Sequence, residues 1–102
     1  ALPMIRALRD TINSNKGKVI VTGHTDSKQV APGGEFPSNW DLSAVRAAAV
    51  ADSLTSLMDI PRDRLSVEGL ADTAALNDNA SAADRARNRR VEVVLDIAAV
   101  AE

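Results

Sequence analysis

Lys18-Val19-Ile20-Val21-Thr22, stopped by Gly23 and followed by His24-Thr25-Asp26, is the stretch from which the fold can be read. A β-branched run of this length suits a short buried strand, and the glycine closes it. Residues 27–38 contain Pro32, Gly33, Gly34 and Pro37, a composition that requires a loop. Ser38, with Asp41 three positions on, resembles a capping box, although Asp41 could itself be the cap. From there Leu42, Val45, Ala49, Val50, Leu54 and Leu57 predict one apolar face of a helix ending near Met58. Ile60 to Asp63 connect it to a half-buried strand, in which Leu65, Val67 and Gly69 alternate with Ser66 and Glu68. A helical crossover between the strands at 18–23 and 64–70 makes that pair parallel and right-handed.

Upstream, Met4, Ile5, Leu8 and Ile12 recur at helical spacing and predict a first helix over residues 3–14, ended by Asn15 to Gly17. Downstream, residues 72–80 read as polar loop, and Ser81-Ala82-Ala83-Asp84 starts a short helix through Arg87. Val91, Val93, Leu95 and Ile97 then alternate with Glu92, Val94 and Asp96 in a last strand, expected antiparallel to its neighbour; the remainder, to residue 102, is expected to be a frayed tail. The fold class is therefore α+β: a two-layer α/β sandwich, a small mixed sheet with helices on one face.

Composition narrows the function. The 102 residues make one domain, with 45% hydrophobic and 25% charged residues, ordinary values for a globular chain. Twelve Lys and Arg against 14 Asp and Glu leave a net charge of −2, which argues against nucleic acid or an anionic membrane as partner. Cysteine is absent, so there is neither disulfide nor thiol chemistry. No apolar run approaches the roughly 18–20 residues of a membrane span, and no basic-then-apolar leader is visible. A signal or anchor, if the domain is exported, would lie outside these residues. Phe36 and Trp40 are the only aromatics, and both sit at one loop-to-helix junction. The core must then be aliphatic, with the pair serving as a lid or wall.

Asp26 ends the first strand's exit, and Arg46 lies near the start of the following helix. Two rigid elements thus present a carboxylate and a guanidinium at the mouth of one loop. A planar guanidinium can hold a carboxylate by two parallel hydrogen bonds, and a helix N-terminus adds donors for an anion. The pair suits a small zwitterion, with Asp26 for an ammonium and Arg46 for a carboxylate. Spacing alone also fits a solvated loop aspartate and a surface helix arginine.

Four blocks bear on that choice: Gly23-His24-Thr25-Asp26, Ser38-Asn39-Trp40-Asp41-Leu42-Ser43-Ala44-Val45-Arg46-Ala47, Gly69-Leu70-Ala71-Asp72-Thr73 and Asn88-Arg89-Arg90-Val91-Glu92-Val93. In this order, across about residues 3–97, they resemble the outer membrane protein A-like domain. That domain is shared by the peptidoglycan-associated lipoprotein, flagellar stator B subunits and type VI secretion anchors. The resemblance implies non-catalytic binding of peptidoglycan, through the diaminopimelate of its peptide stem, in the periplasm of a Gram-negative envelope. It implies a peptidoglycan-binding set of Asp26, Asn39, Leu42, Arg46 and Arg90. In it Asp26 and Arg46 clamp the ammonium and carboxylate, Asn39 helps hold the peptide, Leu42 walls the pocket and Arg90 lines the groove. Phe36 and Trp40 would be sugar- or peptide-facing walls.

The loop between Asp26 and Asn39 is longer here than in the outer membrane protein A type, and the Phe-Pro-Ser-Asn-Trp spelling sits closer to stator and type VI proteins. The expected host is thus a membrane-anchored flagellar stator B-type subunit, with a type VI or outer-membrane anchor as the alternative. The family pattern begins with one more strand, and the resemblance implies that these residues, which start where the first helix should begin, do not include it. The last strand would then have a bare outer edge, expected to be covered by another chain, a homodimer partner among the candidates, or by another segment, or else to leave the domain poorly stable alone. An assembly module without wall binding is the further alternative.

The remaining signals are weaker. The Arg85, Arg87, Arg89 and Arg90 cluster lacks interleaved aromatics, so a structural or wall-binding role is favoured over nucleic acid. His24 and Asp26 have metal-like spacing without a second cluster, so neither a metal nor another cofactor is expected. Asp72, Asn77, Asp78 and Asn79 lack the fixed offsets of a calcium loop and read as turn formers. Ser38 and Ser43 have no nucleophile elbow and no second histidine-bearing element, and no enzyme is expected.

Overall fold

The computed structural model describes residues 3–14, 17–31 and 33–96. Three helices and three strands follow in the order α1 (Pro3–Asn13), β1 (Lys18–His24), α2 (Asn39–Met58), β2 (Leu65–Gly69), α3 (Ala82–Asn88) and β3 (Arg90–Asp96), with a 3₁₀ turn at Arg62–Arg64 before β2. β1 is the middle strand of the order β2-β1-β3. It pairs parallel with β2, Val19 opposite Leu65 and Gly23 opposite Gly69. It pairs antiparallel with β3, Val19 opposite Leu95 and His24 opposite Arg90. The mixed two-layer architecture is the one expected. The expectations for Asn15, Pro32, Ile97 and the tail lie outside the described residues.

Packing explains the periodicity. Val19 and Val21 are fully buried, and with Ile12, Ala47, Ala51, Leu54 and Ile60 they form an aliphatic core flanked by Val50, Met58, Leu65, Val91 and Leu95. Partners in register share a sheet face. Val19, Val21 and Gly23 therefore lie with Leu65, Val67, Leu95, Val93 and Val91 under the helices. Thr22, Glu68 and Glu92 share the other face.

Two expectations about this packing are corrected. Gly23 does not stop β1, which runs on through His24. It is a glycine because α2 crosses it: a Cβ there would lie 2.0 Å from the Ser43 carbonyl oxygen. Its partner Gly69 is equally tight, with an added Cβ 2.7 Å from the Ala44 nitrogen and 2.8 Å from Ser43 Oγ. The helix can approach this closely only through small side chains. Its buried residues are Asn39, Ser43, Ala47, Ala51 and Leu54, whereas Val45 and Leu57, expected on the apolar face, are 51% and 64% exposed. Leu8 of α1 is likewise exposed.

Caps follow the sequence. Ser38 is the N-cap of α2, its hydroxyl accepting from the Asp41 N–H and donating to Asp41 Oδ2. Ser81 accepts from the Asp84 N–H at the start of α3. Asp59 ends α2 in a left-handed conformation, φ 54°, and its N–H returns to the Leu54 carbonyl. Among the described residues no strand pairs with the outer edge of β3.

Candidate functional site

The ladder between β1 and β2 continues past both strands and fixes the chain that carries Asp26. Leu70 N–H donates to the Gly23 carbonyl at 3.0 Å and Thr25 N–H to the Ala71 carbonyl at 2.8 Å. The hydroxyl of Ser43 accepts from Ala71 N–H at 3.1 Å and donates to the Trp40 carbonyl at 3.0 Å, locking the first turns of α2 onto the same point. Ser43 is fully buried, so its hydroxyl is a structural tie.

Asp26 is 6% exposed. Its Oδ1 accepts from the Lys28 N–H at 3.0 Å, an Asx turn, and its Oδ2 accepts from Arg89 Nη1 at 2.6 Å. Asn39, buried at the first position of α2, donates from Nδ2 to the Lys28 carbonyl at 2.9 Å, so the loop leaving Asp26 is stitched to the helix. Asn39 Oδ1 is buried without a hydrogen-bond partner among the described residues. Leu42 and Arg46 follow Asn39 by three and seven positions, which places all three on one flank of α2. Leu42 is half-buried and Arg46 exposed.

The carboxylate of Asp26 is thus met by Arg89, not by Arg46. Among the described residues Arg46 makes no ion pair, and its guanidinium is available to solutes. Two concavities lie elsewhere: one of ≈250 Å³ between α2 and β2, bordered by Asp52, Arg62 and Val67, and one of ≈490 Å³ within loop 29–38, bordered by Glu35 and Phe36. Neither is lined by Asp26 or Arg46. Trp40 is 55% exposed at the helix start.

Arg90 plays a bracing part. Its side chain, 18% exposed, donates from Nη2 to the Ala74 carbonyl at 3.0 Å and from Nη1 to the Asn88 carbonyl at 3.4 Å, and it lies 3.5 Å from Glu92 Oε1. The same Glu92 oxygen lies 2.7 Å from Nε2 of the buried His24, an ion-pair distance without the alignment of a hydrogen bond. Burial acts to raise the Glu92 pKa, but the Arg90 charge and the contacts with His24 and Arg90 outweigh it, and the carboxyl sits below its ordinary 4.5.

The loop between β2 and α3 is organised around Asn88, which is fully buried. Its Oδ1 accepts from the Leu76 N–H at 2.7 Å, and its Nδ2 donates to Oδ1 of both Asn77 and Asn79 at 2.8 Å. Asn79 sits at φ 63°, a conformation asparagine tolerates. These bonds fix the end of α3 and so aim Arg89 at Asp26. In the sequence Asn77 and Asn79 read as turn formers, and neither Asn88 nor Arg89 stands out as an individual residue. Three asparagines bracketing a seven-residue helix are the signal that could have pointed to the hub. Among the described residues no group of three His, Asp or Glu could hold a metal ion.

A small mixed sheet under one long helix makes a two-layer α/β domain, with the buried Asp26 carboxylate just beyond its middle strand. The OmpA family profile matches residues 3–89, and the chain belongs to that family. It is similar to the solved cell wall anchor of the type VI secretion system from Pseudomonas aeruginosa, with 42% identity and a TM-score of 0.76 over 93% of this chain and 65% of that one. It is 30% identical to motility protein B of Bacillus subtilis over 92% of this chain and 36% of that protein. It is 35% identical to the peptidoglycan-binding protein ArfA of Mycobacterium tuberculosis over 78% of this chain and 22% of that protein. The chain therefore spans about a third or less of these curated relatives, whose names are those of motility and binding proteins, not enzymes.

Proposed function

We propose that this domain binds peptidoglycan without cutting it, gripping the diaminopimelate of the peptide stem and anchoring a larger envelope protein to the wall. The observation that carries this reading is the buried Asp26 carboxylate just beyond β1, together with an exposed Arg46 on α2 that makes no ion pair among the described residues. Asp26 takes the ligand ammonium and Arg46 its carboxylate. Asn39, with an acceptor left over, and Leu42 shape the wall between them. Arg90 supports the groove from β3 through its hold on Ala74. Membership of the OmpA family and similarity to a cell wall anchor and a peptidoglycan-binding protein support the substrate class.

The host is a flagellar stator B-type subunit anchored in the membrane by residues beyond this domain, with the domain on the periplasmic side. The 42% identity to a type VI cell wall anchor favours that machine as the second reading. The edge of β3 that has no strand partner among the described residues is where a homodimer would form.

The test is co-sedimentation with purified sacculi, competed by free meso-diaminopimelate against lysine. Asp26→Asn, which keeps the side-chain volume, and Arg46→Ala should each weaken binding by about 1–3 kcal/mol, or about five- to a hundred-fold. Equal competition by lysine, or parent-like binding by both variants, refutes the clamp. Soluble fragments released from the sacculi refute a purely binding role.

A further inference from the structure

Asp26 and Arg89 form an asymmetric pair. The Asp26 side chain is 9% exposed, and both oxygens are engaged, Oδ1 by the Lys28 N–H and Oδ2 by Arg89 Nη1. The Arg89 side chain is 45% exposed, and its contact with Asp26 is the one side-chain hydrogen bond it makes among the described residues. The acceptor is built into the fold, while the donor reaches it from the surface. Arg89 Nη1, at 2.6 Å, occupies the position that a ligand ammonium would take on Oδ2.

We propose that Arg89 is a specificity-determining residue that works by ion-pair exchange, an inference that rests on the Asp26–Arg46 clamp proposed above. In the free protein Arg89 neutralises Asp26. An incoming ammonium displaces it, and the released guanidinium turns to the ligand carboxylate alongside Arg46. One ion pair is thereby replaced by an ammonium–Asp26 pair and a ligand carboxylate shared by Arg46 and Arg89, so neither carboxylate is left alone. A plain amine breaks the Asp26–Arg89 pair and gives Arg89 nothing in return. A plain dicarboxylate draws on Arg46 and Arg89 but strands Asp26. The exchange therefore selects an amino-acid terminus carrying both charges and rejects polyamines, which would otherwise compete for a buried carboxylate. For any cation, apparent affinity is reduced by the fraction of molecules in which Arg89 has left Asp26.

The test uses three ligands sharing one carbon chain: meso-diaminopimelate, cadaverine (the same diamine without carboxylates) and pimelate (the same diacid without amines). Each is titrated by NMR into the parent, Arg89→Gln and Arg89→Lys. An ion pair this exposed has a modest worth, so Arg89→Gln should bind cadaverine up to about five-fold more tightly than the parent. Pimelate should weaken by a similar factor, and the preference for meso-diaminopimelate over cadaverine should shrink accordingly. Arg89→Lys, which keeps the charge, should restore most of the discrimination. If the parent binds meso-diaminopimelate but Arg89→Gln leaves cadaverine affinity unchanged or lowers it, the exchange is wrong and the clamp survives. If the parent binds neither meso-diaminopimelate nor sacculi, the clamp fails and the exchange with it.

Discussion

Replacing Gly23 by alanine isolates the contact that holds the two layers together. The new Cβ would lie 2.0 Å from the Ser43 carbonyl oxygen and 2.8 Å from its carbonyl carbon, where ordinary contact begins near 3.4 Å. The shortfall against the oxygen is about 1.4 Å, the difference between 3.4 and 2.0 Å, and the obstacle is helix backbone, which cannot rotate away as a side chain could. To make room α2 must lift from β1. That strains the Ser43 Oγ contact with Ala71 N–H and partly uncovers Val19, Val21 and Ala47, all now fully buried. Overpacking a well-filled core costs about 1–3 kcal/mol, and opening a fully buried contact adds to it, so roughly 3 kcal/mol or more is expected. For a domain of this size that lowers Tm by about 12 °C or more. Urea unfolding followed by circular dichroism measures it directly. Gly23→Ala stability within about 0.5 kcal/mol of the parent would refute the close crossing of helix and strand.

Asn88→Ala removes three hydrogen bonds from a fully buried side chain and leaves the Leu76 N–H without its acceptor; a loss of roughly 2–4 kcal/mol is expected. Hydrogen exchange should accelerate at Leu76 and its neighbours, and an unchanged exchange pattern would contradict the hub. Because the folded pKa of Glu92 lies below its ordinary value, its contribution is present above pH 4.5 and is lost as pH falls through the lower folded value. Glu92→Gln should therefore flatten the acid limb of the stability profile, and an NMR titration should place the Glu92 midpoint below 4.5.

Much of the architecture is legible in local chemistry. The Val19-Ile20-Val21 run had to be a buried strand, the Ser38 and Ser81 boxes had to start helices, and period-two alternation marked β2 and β3. Periodicity misleads along α2, where it puts the larger apolar residues Val45 and Leu57 on the buried face although both are exposed. What buries a residue there is the closeness of two backbones at Gly23 and Gly69, a distance set between elements far apart in the chain.

The choice of partner for Asp26 is of the same kind. Arg89 and Arg90 are adjacent in sequence, and helix or strand propensity cannot say which guanidinium reaches a carboxylate sixty residues earlier. Sequence by itself determined the elements, their serine-led starts and which charges the loop ends carry. Tertiary structure alone decided which arginine pairs, because that depends on how the Asn88 network sets the end of α3 before β3 begins. Charge type is a property of a side chain, whereas pairing is a property of distance, and only the packed fold fixes distances between remote residues.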